Sequence, residues 1–251
     1  MKVSIITVVF NAEQTISDAL KSVASQSHLD IEHIVIDGAS TDRTLEVIEA
    51  NSECVTTLVS EPDDGIYDAM NKGLKLATGD VVGLLNADDV LQDDSVISQV
   101  VEAHRDPDLD ACYADLVYVK EHDLAQVTRY WRSQRHRKGL CFNGWMPAHP
   151  TFYLKRRVYK QVGLFNTDLR YQSDLEFCAR AFELHSINSL YIPKLWVRMR
   201  LGGVTNNSFS SMLKGNWESY LALRKLGLKK DPISYFVIKF GSKIPSFLSR
   251  K

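Results

Sequence analysis

Short runs of β-branched apolar residues alternate with amphipathic segments over the first hundred residues, and this alternation most constrains the fold. The first run covers residues 3–10, and others cover 32–36, 55–59 and 81–85. A run that is apolar along its whole length predicts a strand buried on both faces, as in a parallel sheet. Apolar residues spaced three and four apart between the runs predict helices that pack on that sheet. The alternation therefore predicts an α/β fold with right-handed crossovers.

Residues that favour helix ends separate these elements. Asn11, with Gln14 three residues later, predicts a capping box at the start of the first helix. Residues 40–42 supply three candidate caps for the second helix. A third helix is expected over 66–77, with Gly79 as its stop signal.

The pattern changes near residue 105, where we place a soft boundary. The first half predicts the parallel sheet, and the second half predicts smaller additions to the same core. These additions are an antiparallel pair, a basic loop, a strand, two helices and a last amphipathic stretch, at 111–119 with 127–131, 132–138, 151–154, 156–162, 174–184 and 208–226. Residues 231–251 form an aromatic and basic tail.

Composition and missing motifs exclude several classes of function. A net charge of −1 gives no global field that would draw the chain to nucleic acid. No dinucleotide-binding G-x-G-x-x-G follows the first strand, and no P-loop motif occurs. The four cysteines are far apart, which indicates free thiols in a reducing compartment. Without a signal-like start or an apolar run of about 20 residues, we expect a cytoplasmic location.

Polar side chains lie at or just after the carboxyl ends of four predicted strands. They are Asn11, Asp37, Asp64 and Asp88. Because the carboxyl ends of parallel strands meet at one edge of a sheet, these side chains are expected to line one ligand site.

The segment Asn86-Ala87-Asp88-Asp89 follows a buried strand and predicts a metal site through Asp88 and Asp89. A nucleoside diphosphate needs a cation to screen its charge, and Mg²⁺ and Mn²⁺ prefer carboxylate oxygens. The same residue types also favour a β-turn followed by a helix cap. Taken alone, the segment does not decide between these two interpretations.

Several motifs occur together in one order. In the first half they are VSIITVVFN (3–11), VIDGASTD (35–42), SEPDDGIYDAMNKG (60–73), ATGD (77–80) and NADD (86–89). Weaker ones in the second half are AHPTFY (148–153), VGLF (162–165) and SDLEF (173–177). On these motifs the chain resembles the inverting family-2 glycosyltransferases of the GT-A fold.

The resemblance implies a GT-A α/β fold, with residues 1–105 as the nucleotide-sugar-binding half and 106–230 as the acceptor-binding half. It implies a UDP-sugar donor, Mn²⁺ or Mg²⁺ as cofactor, and a glycan or lipid-linked glycan acceptor in cell-surface polysaccharide assembly. Asp37 would lie against the nucleoside, Asp88 would bind the metal with Asp89 beside it, and Asp174 would be the catalytic base. Further nucleotide or substrate contacts are predicted at Val9, Asn11, Asp64, Asn71, Lys72, Asn86, His149 and Arg200.

Three positions depart from the family pattern. Asn86 replaces the first acid of the usual Asp-x-Asp metal motif. Gly38 replaces the second acid of the usual Asp-Asp-Gly-Ser, which leaves the nucleobase preference open. Met70 stands where an Arg-Asn pair is common, so Lys72 is the expected replacement for the phosphate-neutralising charge.

Structural alternatives stay open for three of these residues. Asp174 can abstract the acceptor proton as a general base, or it can cap the helix that it opens. His149 can bind the diphosphate or the acceptor, or it can fill a turn between prolines. Arg198 and Arg200 can form a flexible cationic lid over the leaving diphosphate, or they can decorate a solvated edge strand.

Two questions concern the whole chain. The tail at 231–251 can rest on an anionic bilayer at the cytoplasmic face of the membrane, or it can be a terminal helix that docks on the domain. The rival to an enzyme is a non-catalytic nucleotide-sugar or carbohydrate-binding module, which would not need the acid at Asp174. A nucleotidyltransferase is a weaker rival, because the expected basic glycine-rich loop is missing.

Overall fold

The computed structural model describes residues 1–202, 209–228, 231–233 and 235. Within these residues nine strands form one sheet with helices packed around it. The strands are β1 (Val3–Val9), β2 (Ile31–Asp37), β3 (Thr57–Ser60), β4 (Val81–Leu84), β5 (Val90–Leu91), β6 (Ala111–Lys120), β7 (Asp123–Trp131), β8 (Tyr153–Lys155) and β9 (Ser189–Arg200). The α-helices are α1 (Ile16–Ala24), α2 (Thr44–Glu49), α3 (Ile66–Leu76), α4 (Val96–Ala103), α5 (Arg156–Val162), α6 (Ser173–Ala179) and α7 (Phe209–Lys225).

The parallel core of the sheet has the strand order β3–β2–β1–β4. All seven residues of β1 are buried, as expected for a central strand covered on both faces. The predicted last residue of this strand, Phe10, instead lies outside it and is 62% exposed. The predicted α/β arrangement is confirmed.

The strand order reverses beside β1. The chain runs from β1 to β2 and β3 on one side and then returns to place β4 on the other side. In open α/β sheets the crevice outside the carboxyl ends at such a switch point is the preferred ligand site. The segments that follow β1 and β4 therefore border the expected binding crevice.

The second half extends the same sheet. β8 pairs with β4 and β6 in antiparallel fashion, and β6 also pairs with β7 antiparallel and with β9 in parallel. The predicted antiparallel pair is thus β6 with β7. No sheet edge separates the two halves, because β8 joins strands from both.

Two helix ends in the first half differ from the prediction. The first helix begins at Ile16 and not after Asn11, whose φ of +51° and Oδ1 contact to the Thr41 N–H place it in the turn beyond β1. α3 ends at Leu76, and Gly79 serves close approach to β1, since a β-carbon there would lie 2.6 Å from Ser4 Oγ.

The other two differences lie in the second half. The predicted strand at 151–154 begins only at Tyr153, because His149–Thr151 forms a 3₁₀ turn. The predicted helix at 174–184 divides into α6 and a π-helical turn at Arg180–Leu184.

All four cysteines are free thiols, as predicted. None of the described helices is both long enough and apolar enough to cross a membrane. The predicted tail at 231–251 lies outside the described residues except for 231–233 and 235. Tyr235 is fully buried, with its ring 5.9 Å from that of Tyr220 on α7.

Candidate active site

The turn that follows β4 carries two carboxylates of different exposure. Asp89 donates its backbone N–H to the carbonyl of Asn86 at 3.1 Å, which closes the turn over residues 86–89. Asp88 is partly exposed, whereas Asp89 is completely buried. Asp88 therefore presents the accessible carboxylate, with Asp89 beneath it.

The electrostatics of this turn suit a cation. Burial raises the pKa of Asp89 well above its usual range, and the neighbouring charge of Asp88 raises it further. Burial also raises the pKa of Asp88, although Arg200 and His149 oppose the shift. The Oδ2 atom of Asp89 is buried and accepts no hydrogen bond from the described residues. An orphaned buried carboxylate oxygen is costly, and a bound divalent cation would offset that cost.

Arg200 closes the turn from below and does not form a lid. Its side chain is only 6% exposed, and its guanidinium donates to the Asp88 carbonyl, to the Glu121 carbonyl and to Asp18 Oδ2. Its backbone N–H donates to Asp89 Oδ1 at 3.3 Å. The predictions of a flexible cationic lid and of a solvated edge position are therefore both wrong for Arg200.

His149 and Asp174 approach the same turn from the second half. His149 Nδ1 lies 3.8 Å from Asp174 Oδ2 and has no hydrogen-bond partner among the described residues. Burial lowers the pKa of His149, whereas the charges of Asp174 and Asp88 raise it. The imidazole therefore interacts electrostatically with both the candidate metal ligand and the candidate base.

Asp174 lies in the first turn of α6 with its side chain 17% exposed. Its Oδ1 atom accepts the backbone N–H of Leu175 at 2.8 Å and the hydroxyl of Tyr67 at 3.3 Å. None of the described residues donates a hydrogen bond to Oδ2. That oxygen is therefore available to a substrate hydroxyl.

The carboxyl end of β2 is held by a network around Asp37. This carboxylate is fully buried and accepts the Ser40 N–H and hydroxyl and the Ser60 hydroxyl. The backbone N–H of Asn11 donates to Ser40 Oγ at 2.8 Å. Asp37 therefore orders the loops at the carboxyl end of β2, with its own oxygens already bonded.

Asp63 is a candidate site residue that the sequence analysis did not single out. A β-carbon built on Gly38 would lie 2.4 Å from Asp63 Oδ2 and 3.5 Å from the Phe10 ring. Asp63 Oδ1 accepts the Gly65 N–H at 2.8 Å, and Oδ2 has no partner among the described residues. The Asp63 carboxylate thus occupies the space left by the acid that Gly38 replaces. The lost acid at 38, together with the extra acid at 63–64, was the available signal.

Two predicted phosphate or nucleotide contacts already have partners within the protein. The buried Asn71 amide accepts the N–H of Phe165 and donates to its carbonyl, both at 2.9 Å. Lys72 Nζ binds the Pro62 carbonyl at 2.7 Å and pairs with Glu61 at 2.9 Å and with Asp68 at 3.5 Å. The buried Asn71 amide is fully bonded, so the prediction that it contacts the nucleotide is wrong. The Lys72 ammonium pairs with two partly exposed carboxylates, and its phosphate contact stays a prediction.

The remaining predicted contacts offer little side-chain chemistry. Val9 is buried, and its carbonyl accepts the N–H of Gly38. Asp64 is exposed, and its backbone N–H donates a hydrogen bond to Asp68 Oδ2 at 3.2 Å. Asn86 is partly exposed on the turn over residues 86–89, called the metal turn below because it carries the candidate metal ligands, and it stays a predicted contact.

The sequence pattern of Glycosyl transferase family 2 matches residues 4–167. The chain belongs to this family. A family-2 relative, a PGL/p-HBAD biosynthesis glycosyltransferase of Mycobacterium bovis, is 27% identical over 210 residues, which cover 81% of this chain and 78% of that one.

Solved glycosyltransferases share the fold of this family-2 enzyme, which confirms the predicted GT-A architecture. S. aureus TarS in complex with UDP-GlcNAc superposes with a TM-score of 0.69 at 19% identity, covering 95% of this chain and 70% of that one. A mannosyltransferase from Pyrobaculum calidifontis in complex with GDP-Man and Mn²⁺ gives 0.67 at 18%, covering 99% and 70%.

The departures from the family-2 pattern have structural counterparts. Ala39 stands where the glycine of Asp-Asp-Gly-Ser would stand, and its φ of +61° costs an alanine about 1–2 kcal/mol. Met70, at the position where arginine is common, is 4% exposed and packs in the core. Position 70 therefore supplies no charge, and the Lys72 ammonium beside it pairs with Glu61 and Asp68.

Proposed function

We propose that this glycosyltransferase moves one sugar from a nucleotide-sugar to a hydroxyl of a glycan or lipid-linked glycan, with inversion at the anomeric carbon. The observation that carries the proposal is the approach of His149 to Asp174 at 3.8 Å, within electrostatic reach of Asp88. It brings a candidate metal carboxylate and a candidate base to one crevice at the switch point of the sheet. A non-catalytic binding module would need no base with a free oxygen there.

The proposed reaction is a single displacement. As the acceptor oxygen bonds to C1 of the sugar, its proton passes to Asp174 and the bond from C1 to the leaving diphosphate breaks. Attack from the face opposite the diphosphate inverts C1. A Mn²⁺ or Mg²⁺ ion held by Asp88, with Asp89 beneath it, would stabilise negative charge on the leaving diphosphate.

A screen of nucleotide-sugars by melting temperature, followed by an assay for nucleotide release, distinguishes a transferase from a binding module. UDP-sugars are the first choice, and GDP-sugars are the comparison. A ligand that binds the folded state raises the melting temperature by mass action, so the matching nucleotide-sugar with Mn²⁺ is expected to give the largest shift. Release of free nucleotide from that donor upon addition of acceptor would support transfer. Tight binding without any nucleotide release would favour the binding module.

We further propose that Asp63 contacts the nucleobase. Its Oδ2 is a free acceptor beside the exposed ring of Phe10, and N–H groups of uracil or guanine are suitable donors. Asp63→Ala is expected to weaken UDP binding about 10–100-fold, the value of one hydrogen bond to a charged group. Calorimetry with UDP and with pyrophosphate in Mn²⁺ measures this effect, and pyrophosphate binding should not change.

Asp30→Ala is the matched control, because Asp30 is an exposed carboxylate just before the amino end of β2, away from the crevice. It is expected to leave UDP affinity unchanged. An equal loss of pyrophosphate affinity in Asp63→Ala would instead assign Asp63 to the phosphate end. No loss for either ligand would remove Asp63 from the site.

The cellular setting is the broadest part of the proposal. We propose polysaccharide assembly at the cytoplasmic membrane face, supported by relatives named for glycan biosynthesis. The predicted membrane contact of the tail concerns residues outside the described ones. At Tyr235, the contact with Tyr220 favours the docking alternative.

A further inference from the structure

Tyr67 links the two halves of the candidate site. It lies in the first turn of α3, is 8% exposed, and stacks on Phe165 with ring centroids 5.8 Å apart. Its hydroxyl lies 3.3 Å from Asp174 Oδ1, although the two residues are 107 positions apart in sequence. The fold thus aims a buried hydroxyl from the donor half at the candidate base of the acceptor half.

The direction of this hydrogen bond is determined by the surroundings of the phenol. Burial raises the pKa of Tyr67 well above its usual value, and the charge of Asp174 raises it further. The phenol therefore keeps its proton and donates it to the carboxylate.

The two oxygens of Asp174 consequently differ. Oδ1 accepts both the Leu175 N–H and the Tyr67 hydroxyl, whereas Oδ2 lies 3.8 Å from His149 Nδ1, beyond hydrogen-bond distance. Two donors on one oxygen fix the rotation of a carboxylate about its Cβ–Cγ bond. Only the other oxygen then remains free to take a proton.

We propose that Tyr67 is a positioning residue for sugar transfer, which holds Asp174 so that Oδ2 faces the acceptor hydroxyl. This inference rests on the proposed role of Asp174 as the base. A base held within about 0.5 Å of its working position loses little rotational freedom in the transition state, which is how a hydroxyl that does not touch substrate contributes to rate.

Tyr67→Phe tests the inference, because it removes the hydroxyl and keeps the ring that stacks on Phe165. We expect a decrease in kcat of about tenfold, within the range for a hydrogen bond to a charged group, with the KM for donor unchanged. Without the hydroxyl the carboxylate is easier to protonate, so the acidic limb of the pH–rate profile should move to higher pH. Tyr159→Phe is the matched control, since Tyr159 is buried and stacks on Phe177 of α6 without bonding Asp174.

A double-substitution cycle separates failure of this inference from failure of the base assignment. In an Asp174→Asn background, Tyr67→Phe should have no further effect on kcat or on the pH profile. If Asp174→Asn is inactive but Tyr67→Phe matches the unaltered enzyme in kcat and pH profile, the positioning role is overturned and the base stands. If Asp174→Asn itself is fully active, both ideas fail. Equal losses in Tyr67→Phe and Tyr159→Phe would reduce Tyr67 to a packing residue.

Discussion

Asp174→Asn is expected to lower turnover by about 10²–10⁴-fold, the usual contribution of a general base. Asparagine is nearly isosteric and keeps an Oδ1 that can accept the Leu175 N–H and the Tyr67 hydroxyl. The fold and the Asp174 contacts should therefore persist, but the amide cannot accept the proton of the acceptor. Turnover at saturating donor and acceptor measures the loss. Nucleotide affinity by calorimetry should change little, because Asp88 and the β2 end are untouched.

Glu176→Gln is the control on the same helix. Glu176 is buried and pairs with Arg180 through two 3.0 Å contacts to Nε, so its loss should lower the melting temperature more than it lowers turnover. If Glu176→Gln abolishes turnover while Asp174→Asn does not, the base is two residues further along the chain. If both variants stay active, His149 becomes the next candidate.

Removing the metal should have the second large effect. We expect EDTA to abolish transfer, and Mn²⁺ or Mg²⁺ to restore it. Asp88→Asn should weaken donor binding in Mn²⁺ by about 100-fold or more, because a bound cation contributes several kcal/mol of charge stabilisation. Calorimetry with UDP in the presence and absence of Mn²⁺ measures this. The difference between the two conditions, present in the unaltered enzyme, should nearly vanish in the variant.

Asp94→Asn provides the matched control, because Asp94 is an exposed carboxylate shortly after the metal turn. It should retain the full response to Mn²⁺. Full transfer activity in a thoroughly chelated sample would falsify the metal hypothesis. An Mn²⁺ response that survives in Asp88→Asn would move the principal ligand to Asp89, whose buried Oδ2 has no partner among the described residues.

The parallel sheet, and the polar residues at the carboxyl ends of its strands, could be predicted from the sequence because both depend on short-range patterns. A strand buried on both faces is mostly apolar along its length, so β1 and β4 are recognisable from their residues alone. The turns that follow them must be polar because they leave the core. The positions of Asn11 and Asp88 at the carboxyl ends of β1 and β4 could therefore be predicted from the sequence.

The functions of individual side chains were less predictable, because they depend on partners far along the chain. Lys72 resembles a phosphate ligand in the sequence, but the folded chain also brings Glu61 and the Pro62 carbonyl to it. Arg200 meets Asp18, which is 182 residues away in sequence. Asp63 is the opposite case, a candidate that the sequence analysis did not single out. Only the fold shows that its carboxylate fills the space beside Gly38.

The position of β8 has a consequence for the synthesis of the chain. β8 pairs with the edge of β4 that faces away from β1, and it follows β4 by about 70 residues in the chain. At a synthesis rate of about 5–20 residues per second, that edge of β4 stays unpaired for several seconds. An unpaired strand edge is a template for pairing with other chains. A nascent chain that ends near residue 105 therefore exposes the strand that leads into the metal turn. The first half alone is therefore prone to aggregation, and this edge of the sheet is covered only once β8 has been synthesised.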